Sequence, residues 1–412
     1  MTVRLITLQR FFGVGQGLFA DGRVYVGSES AERFRWVYDC GTSSSQTLID
    51  SALQKFLDGG SRVDASPLLT VHLATLSHFD RDHISGLVRL LKSSSVDTLM
   101  MPYVPLWQRL SLAFIEGIDT QQELFGFFLN PIEYISRLNT RLHRIILVPT
   151  GRGEKPEDQG DRGPLPIHDV PWSLDAQLGD PGGSDEAEDA RLFRRTKRIA
   201  VEWLRRGGRL SVAGAWEFVP YNDADMSARA GGRFLTAVAR SRGDLLSAND
   251  DGARARALAS IKNIYDRAFG RSSVQRNLIS LFLYSGPCLR TDQAMVILGS
   301  HAEARNWHSQ TGTLYTGDGF LDTPRRLAEL AEYLGKQRLR NLGCLQVMHH
   351  GAKDNWHRGL AAKFNPSISV FSSDPTHRSL GHPHAEVLRD FWTFGPIQVD
   401  KERDLAIGVV LL

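Results

Sequence analysis

The chain has 412 residues, 42% of them hydrophobic and 23% charged, with 49 Lys and Arg against 46 Asp and Glu for a net charge of +3. This is the composition of an ordinary soluble globular protein, long enough to bury a sizeable core as one large domain with insertions or as two smaller ones. A charge this mild neither demands nor excludes a polyanionic partner, so any nucleic-acid argument must come from local patches. Cys40, Cys288 and Cys344 are odd in number and far apart, which speaks against a disulfide framework and for a reducing compartment. The first residues enter an alternating strand pattern without the apolar core of a signal peptide, and no apolar run is long enough to span a bilayer, so a cytoplasmic protein with no membrane association is expected.

Residues 3–40 predict a β-meander, with strands at 3–12, 19–26 and 34–38 and with Gly13-Val14-Gly15-Gln16-Gly17 and Asp21-Gly22 as turns. The third strand ends at Asp39-Cys40-Gly41-Thr42. Leu48, Ile49, Leu53 and Phe56 share one face of a helix over 46–57. The apolar run 69–76 then predicts a buried strand that delivers His78, Asp80, Asp82 and His83 to one loop, and Ile84-Ser85-Gly86-Leu87 opens the next helix. A polar turn after a strand accounts for a single Asp or His. It does not account for four ligand-type side chains within six residues. Imidazole and carboxylate donors at such short spacing suit first-row divalent metals, and a tight loop can direct alternate side chains to two neighbouring ions.

A strand over 96–101 completes a strand–helix–strand rhythm of the kind a helix-covered sheet requires. Residues 105–141 read as helical, their many aromatics as core, and 144–148 as a strand. The Gly-, Pro- and Asp-rich stretch 150–184 reads as a loop or mobile insertion. From Ser184 a helix is expected to carry Leu192, Phe193, Ile199, Trp203 and Leu204 opposite Arg191, Arg194, Arg195, Lys197, Arg198, Arg205 and Arg206. A second basic insertion, about 225–270, includes Arg229, Arg233, Arg240, Arg242, Arg254, Arg256, Lys262 and Arg267, and a core strand at 215–220 lies between the two. Such basic faces are either solvated surface or grips for phosphate. Further strands at 276–284, 313–316, 344–348 and 368–373 lead, respectively, from Asn277, to Gly317-Asp318-Gly319, to His349-His350-Gly351-Ala352-Lys353 and to Gly381-His382-Pro383-His384. A helix is expected over 324–337.

Ser77-His78-Phe79-Asp80-Arg81-Asp82-His83 resembles the HxHxDH signature of the metallo-β-lactamase superfamily, with Asp80 where the second His usually stands. More narrowly it is similar to the S-H-x-D-x-D-H-x-x-G-L form found in the nuclease-like domain of ComEC-type competence proteins and their stand-alone relatives. Phe11-Phe12-Gly13-Val14-Gly15-Gln16-Gly17 resembles that domain's VGQGD turn, with Leu18 for the Asp. Asn277 to Leu283 resembles its N-x-x-S-x-x-L strand, Leu314-Tyr315-Thr316-Gly317-Asp318 its LLTGD, His349-His350-Gly351-Ala352 its HHGS, and Gly381 to Leu388 its GHPHxEVL. The matches cover about the first 105 and the last 140 residues, in order.

The resemblance implies a metallo-β-lactamase αββα sandwich of the α/β (α+β) class with helical insertions. Its two halves would be 1–150 and 271–412, with the loop-rich basic insertions of 151–270 around one core strand. It implies two divalent ions, Zn²⁺ or Mn²⁺ with Mg²⁺ as a further option, held by His78, Asp80, Asp82, His83, Asp318, His349, His350 and His382. Asp318 would bridge them, with Asp82 and His83 at one ion beside a late His, and His78 and Asp80 at the other. Asp39 and Asn277 would brace the ligands by hydrogen bonds, and Asp82, His382 and His384 would take part in catalysis. The isolated His usual between the first loop and the bridging Asp has no match in context among His143, His168, His301 and His308, leaving His349 or His350 to fill that place spatially. The expected activity is phosphodiester hydrolysis by a metal-activated hydroxide between ions about 3.5–4 Å apart, most plausibly as a DNA nuclease with nucleic acid as substrate. Two alternatives stand: a hydrolase of a small ester, lactone or phosphocholine-type substrate, and a metal-binding subunit or effector with a protein partner in DNA handling or defence.

Overall fold

A computed structural model describes residues 5–27, 31–59, 68–115, 118, 122, 124–138, 140–150, 155–156, 171–193, 198–223, 232–248, 250–269, 280–288, 294–298, 305–306, 310–377 and 381–411. Over these residues the chain is a mixed α/β protein built on two sheets of eleven and eight strands. In the larger sheet Leu5–Phe11, Phe19–Val26 and Ala31–Cys40 form the expected antiparallel meander. Ala31–Cys40 then begins a parallel run with Leu69–Thr75, Ser94–Pro102, Arg144–Val148 and Ala200–Leu204. The last strand, Leu405–Leu411, returns to pair antiparallel with the first, Leu5 opposite Leu411. Both carry the same alternating buried and half-buried pattern, the period-two signature of a strand with one covered face.

The smaller sheet joins an antiparallel group, Leu174–Ala176, Leu210–Val212, Trp216–Asn222 and Leu281–Pro287, to a parallel group, Gly312–Tyr315, Leu342–Gln346, Ile368–Ser372 and Pro396–Val399. An apolar layer lies between the sheets. In it Trp36 and Trp216 approach to 5.8 Å and Tyr38 stacks on Tyr315 at 4.7 Å. Their polar ends are satisfied across the layer, Trp36 Nε1 donating to Tyr315 Oη at 3.3 Å and Tyr38 Oη to the Leu281 carbonyl at 2.7 Å. Aromatic pairs of this kind are worth about 0.5–1.5 kcal/mol each beyond their buried area, so the contact holds the sheets in one relative position.

Helices cover the outer faces. Gln46–Asp58 starts at Ser45, whose hydroxyl accepts from Thr47 N–H, and buries Ile49, Ala52, Leu53 and Phe56 against the larger sheet. Pro324–Arg340 starts at Thr323 and buries Leu327, Leu330 and Leu334 against the smaller one. Its buried Arg338 donates from Nε and an NH2 to both carboxylate oxygens of Glu217 at 2.7 and 3.0 Å, a two-pronged pairing that offsets the cost of burying the charges. No helix among the described residues is long and apolar enough to cross a membrane.

One expected element is different. The helix from Ser184 ends at Phe193, and Ala200–Leu204 is a strand instead of the helix's last turn, so Trp203 and Leu204 enter the core from a sheet. Val201 and Trp203 suit a pleated, half-buried position, and pairing with Arg144–Val148 satisfies a backbone that a short basic helix would have left to its own weak propensity. Residues 151–270 thus feed strands into both sheets. The strand expected at 276–284 is seen from Leu281; Asn277, His168, His301 and His308 lie outside the described residues.

Candidate metal centre

The expected ligands sit where strands leave their sheets at the carboxyl end. Asp39 is next to last in Ala31–Cys40, and His78, Asp80, Asp82 and His83 follow Leu69–Thr75. Asp318 follows Gly312–Tyr315, His349 and His350 follow Leu342–Gln346, and His382 follows Ile368–Ser372. Parallel strands aim all their exits one way, which is why open α/β sheets gather functional groups at that edge. The segments are stitched by backbone bonds, Leu281 N–H to the Ser77 carbonyl at 2.7 Å and His349 N–H to the Gly317 carbonyl at 2.9 Å.

Local backbone shape does the aiming. His349, His350 and Gly351 follow one another with φ of 43°, 58° and 85°, a left-handed turn that costs energy for non-glycine residues and persists only where its surroundings hold it. It turns both imidazoles toward Asp318. Gly41 allows the first loop to pass close: a Cβ there would lie 2.5 Å from the backbone nitrogen of His83 and 2.6 Å from the carbonyl carbon of Asp82. The glycine turn serves the same loop, since Leu18 N–H donates to the Asp82 carbonyl at 3.2 Å.

His78, Asp82, His83 and Asp318 each offer one donor atom within 4.8 Å of the others. The two oxygens of Asp318 divide the surrounding imidazoles. Oδ1 lies 3.1 Å from His83 Nε2 and 3.7 Å from His350 Nε2, whereas Oδ2 lies 3.7 Å from His78 Nε2 and 3.4 Å from His349 Nε2. Asp82 Oδ2 joins the first group, 3.1 Å from His350 Nε2 and 4.0 Å from His83 Nε2. Asp80 Oδ2 joins the second, 3.7 Å from His78 Nε2. His349 and His350 thus lie one on each side of Asp318. His143 is on the surface, 3.6 Å from Asp97, and takes no part.

Each of these four imidazoles is held by its other nitrogen. His83 Nδ1 is 2.7 Å from Asp39 Oδ2, and His350 Nδ1 is 2.5 Å from the Ser372 carbonyl, so both carry a proton there. Ser77 donates its hydroxyl to Asp39 Oδ2 at 2.7 Å, which leaves its oxygen to accept from His78 Nδ1 at 2.8 Å. Asn355 donates its amide to the Asp318 carbonyl at 2.8 Å and accepts from His349 Nδ1 at 2.8 Å. With Nδ1–H fixed in every case, Nε2 is the nitrogen turned inward; without a cation His350 Nε2 donates a second proton to Asp82 Oδ2 at 3.1 Å, and displacing such a proton exposes the Nε2 lone pair that metal ligation requires.

Most buried polar atoms in a folded protein have hydrogen-bond partners. Here His78 Nε2, His83 Nε2 and Asp318 Oδ1 are buried without one, the 3.1 Å approach of the last two not being aligned as a hydrogen bond. Buried, partnerless donor atoms converging on one point fit a cation. The protonation pattern agrees. Burial and the neighbouring His83 push His78 down to about 3. Burial acts against the charged form of Asp82 too, but His83 and His350 outweigh it and hold Asp82 down to about 2. His83 is raised well above its ordinary value because Asp318, Asp39 and Asp82 outweigh its burial, and Asp318 is lowered well below the carboxylate range, His349, His83 and His350 overcoming the cost of burial. Without a cation, protons on histidine do the work of neutralising the carboxylates.

His382 and His384 stand differently. His382 is buried with its ring 5.6 Å from that of His349 and stacked 6.3 Å from that of His350. Among the described residues no carboxylate lies within 4.0 Å of it. Its Nδ1 is 3.4 Å from Gln16 Nε2. His384 is half-buried at the edge, its Nδ1 accepting from Lys353 N–H at 3.3 Å. Several braces of the centre are not among the residues expected from sequence: Ser77, Asn355, Ser280, which accepts from Asp318 N–H at 3.1 Å, and Gln346, which accepts from the Thr316 and Gly317 N–H groups at 2.8 Å. Only Ser77 and Ser280, lying inside the quoted motifs, left any mark in the sequence by which to find them. Set against protein-family models and against curated proteins, the chain matches none of them.

Proposed function

We propose that the chain is a metal-dependent phosphodiesterase of the metallo-β-lactamase type acting on DNA, with two divalent cations on either side of Asp318. The observation that carries this reading is the division of donors by the two oxygens of one carboxylate, His83, His350 and Asp82 on one side and His78, His349 and Asp80 on the other. A carboxylate facing a donor set with each oxygen suits a pair of ions better than a single one. Asp80 in place of a further imidazole hardens its side and favours Mn²⁺ alongside Zn²⁺.

Bound cations would supply Lewis acidity and a water activated near neutral pH. The residues of the chain supply the rest. Asp39 and Ser77 orient His83 and His78, Asn355 orients His349, and the Ser372 carbonyl orients His350. Asp80, Asp82 and Asp318 would offset three of the four positive charges of two divalent ions, and Asp39 places a further carboxylate behind His83. Arg81 and Lys353 are exposed beside the ligand loops and suit the phosphates that flank a scissile bond.

The test is incubation of purified protein with single- and double-stranded DNA, with chelator and with Zn²⁺ or Mn²⁺ restored, beside Asp318→Asn. Chelator-sensitive cutting lost in the variant supports the reading. Cleavage confined to small chromogenic esters replaces it with a small-ester or lactone hydrolase, and a metal-loaded protein inert toward both leaves the role of subunit or effector.

A further inference from the structure

His382 is the exception among the histidines of the centre, and the hydrogen bonds on its far side say why. The amide of Gln16 has two ends. Its Oε1 accepts from the backbone N–H of Asp374 at 3.4 Å, and since a backbone N–H can only donate, the end facing Asp374 must be the oxygen. The other end, the NH2, is therefore the one 3.4 Å from His382 Nδ1. An amide NH2 can only donate, so Nδ1 of His382 accepts and the ring proton sits on Nε2. This is the reverse of His78, His83, His349 and His350, where a hydroxyl, carboxylate, amide or backbone oxygen holds a proton on Nδ1 and leaves Nε2 as the nitrogen to meet a cation.

The structure assigns His382, we infer, as a neutral N–H donor to a phosphoryl oxygen of the substrate instead of a metal ligand, with Gln16 as the positioning residue that sets its tautomer. This rests on the phosphodiesterase reading for its substrate, but the tautomer itself does not. The surroundings agree. His349 and His350 each lie within 3.7 Å of an Asp318 oxygen, whereas no carboxylate among the described residues lies within 4.0 Å of His382 to favour an imidazolium or to share a cation with it. A neutral imidazole held as a hydrogen-bond donor stabilises charge on an oxygen without giving up its proton, so no proton transfer is required of it. Gln16 gains a second reason to sit in the glycine turn: the same residue's backbone carbonyl accepts from Ser43 N–H at 2.8 Å, and its own N–H donates to Ser44 Oγ at 3.0 Å, fixing the side chain's root beside the ligand loop.

Three measurements on the full chain test this. Nitrogen-15 spectra of the imidazoles should show His382 protonated on Nε2 in wild type and on Nδ1 in Gln16→Glu, where a carboxylate replaces the donor; an Nδ1 proton in wild type overturns the assignment. Zinc content should be the same in wild type, His382→Ala and Gln16→Glu; loss of an ion from His382→Ala makes it a ligand and overturns the assignment. Inorganic phosphate should bind zinc-loaded His382→Ala more weakly than wild type, and His382→Gln, which keeps an N–H, should recover part of the loss; equal binding in all three overturns the donor role. On DNA the expected fall in kcat for His382→Ala is about 10²–10³-fold, the cost of one lost oxyanion donor. If wild type cuts no DNA, the phosphodiesterase reading fails, while the tautomer, zinc content and phosphate affinity still decide the place of His382.

Discussion

Asp39→Asn is the sharpest single perturbation of the centre. The Asp39 carboxylate is fully buried and accepts three hydrogen bonds of 2.7 Å, Oδ1 from Ser77 N–H and Oδ2 from Ser77 Oγ–H and His83 Nδ1–H. Asn has the same size and tolerates the left-handed φ of 55° at this position, so the backbone is not in question. Only the hydrogen bonding changes. An amide has one oxygen: with its NH2 in the Oδ1 place it faces the Ser77 N–H, which can only donate, and in the Oδ2 place it faces His83 Nδ1, which must shed its proton to accept. Leaving one buried donor unsatisfied costs about 1–3 kcal/mol, read as an earlier urea midpoint in the metal-free protein. Freed from Asp39, His83 loses the bond that keeps its proton on Nδ1. Losing such a partner typically weakens metal binding about 10–100-fold, equivalent to about 1.4–2.7 kcal/mol. Zinc competition against a chromophoric chelator near neutral pH measures the second effect separately from the first. Unchanged zinc affinity in a folded variant would refute the argument that Asp39 orients a ligand, whatever happened to stability.

Further expectations follow from the same geometry. Asp318→Asn keeps the shape but halves the charge-bearing oxygens between the two donor groups, so bound metal per chain, measured by elemental analysis, falls by at least one ion; wild-type stoichiometry in the variant would sink the bridging role. Metal uptake should weaken as pH falls, because carboxylates overcome burial and raise His83 and His350 above their ordinary values, and a cation must displace those protons. Each proton released makes affinity drop about tenfold per pH unit below its pKa, so a zinc affinity that is flat between about pH 6 and 8 contradicts the displacement. Gly41→Ala places a Cβ 2.5 Å from rigid backbone at His83 and should cost about 1–3 kcal/mol by overpacking, together with weaker zinc binding; a variant that melts and binds like wild type would show that the loop has room. Finally, zinc at a hundredfold excess over Kd should stabilise the folded chain by about 2.7 kcal/mol, and a melting temperature indifferent to chelator would show that the centre binds no ion tightly.

The sequence alone determined the ingredients that are local. Four ligand-type residues between an apolar strand and an apolar helix start could be read as a ligand loop because the spacing and the flanking periods lie within a dozen residues. The opening meander, the Ser45-capped helix and the strand exits at Asp39, Asp318 and His349 were legible for the same reason. The tertiary structure alone decided what depends on meeting across the chain. Nothing near residue 16 announces that Gln16 reaches residues 374 and 382 and selects a tautomer, and nothing near residue 355 announces a brace for His349. Ala200–Leu204 reads locally as helix because its period is ambiguous, and pairing with the neighbouring strand Arg144–Val148 supplies the hydrogen bonds that make it a strand. Spacing along a chain can propose donors. Which nitrogen of each ring points inward is settled by the hydrogen bond on the other side of the ring, and for His350, His83 and His382 that partner lies 22, 44 and 366 residues away in the chain.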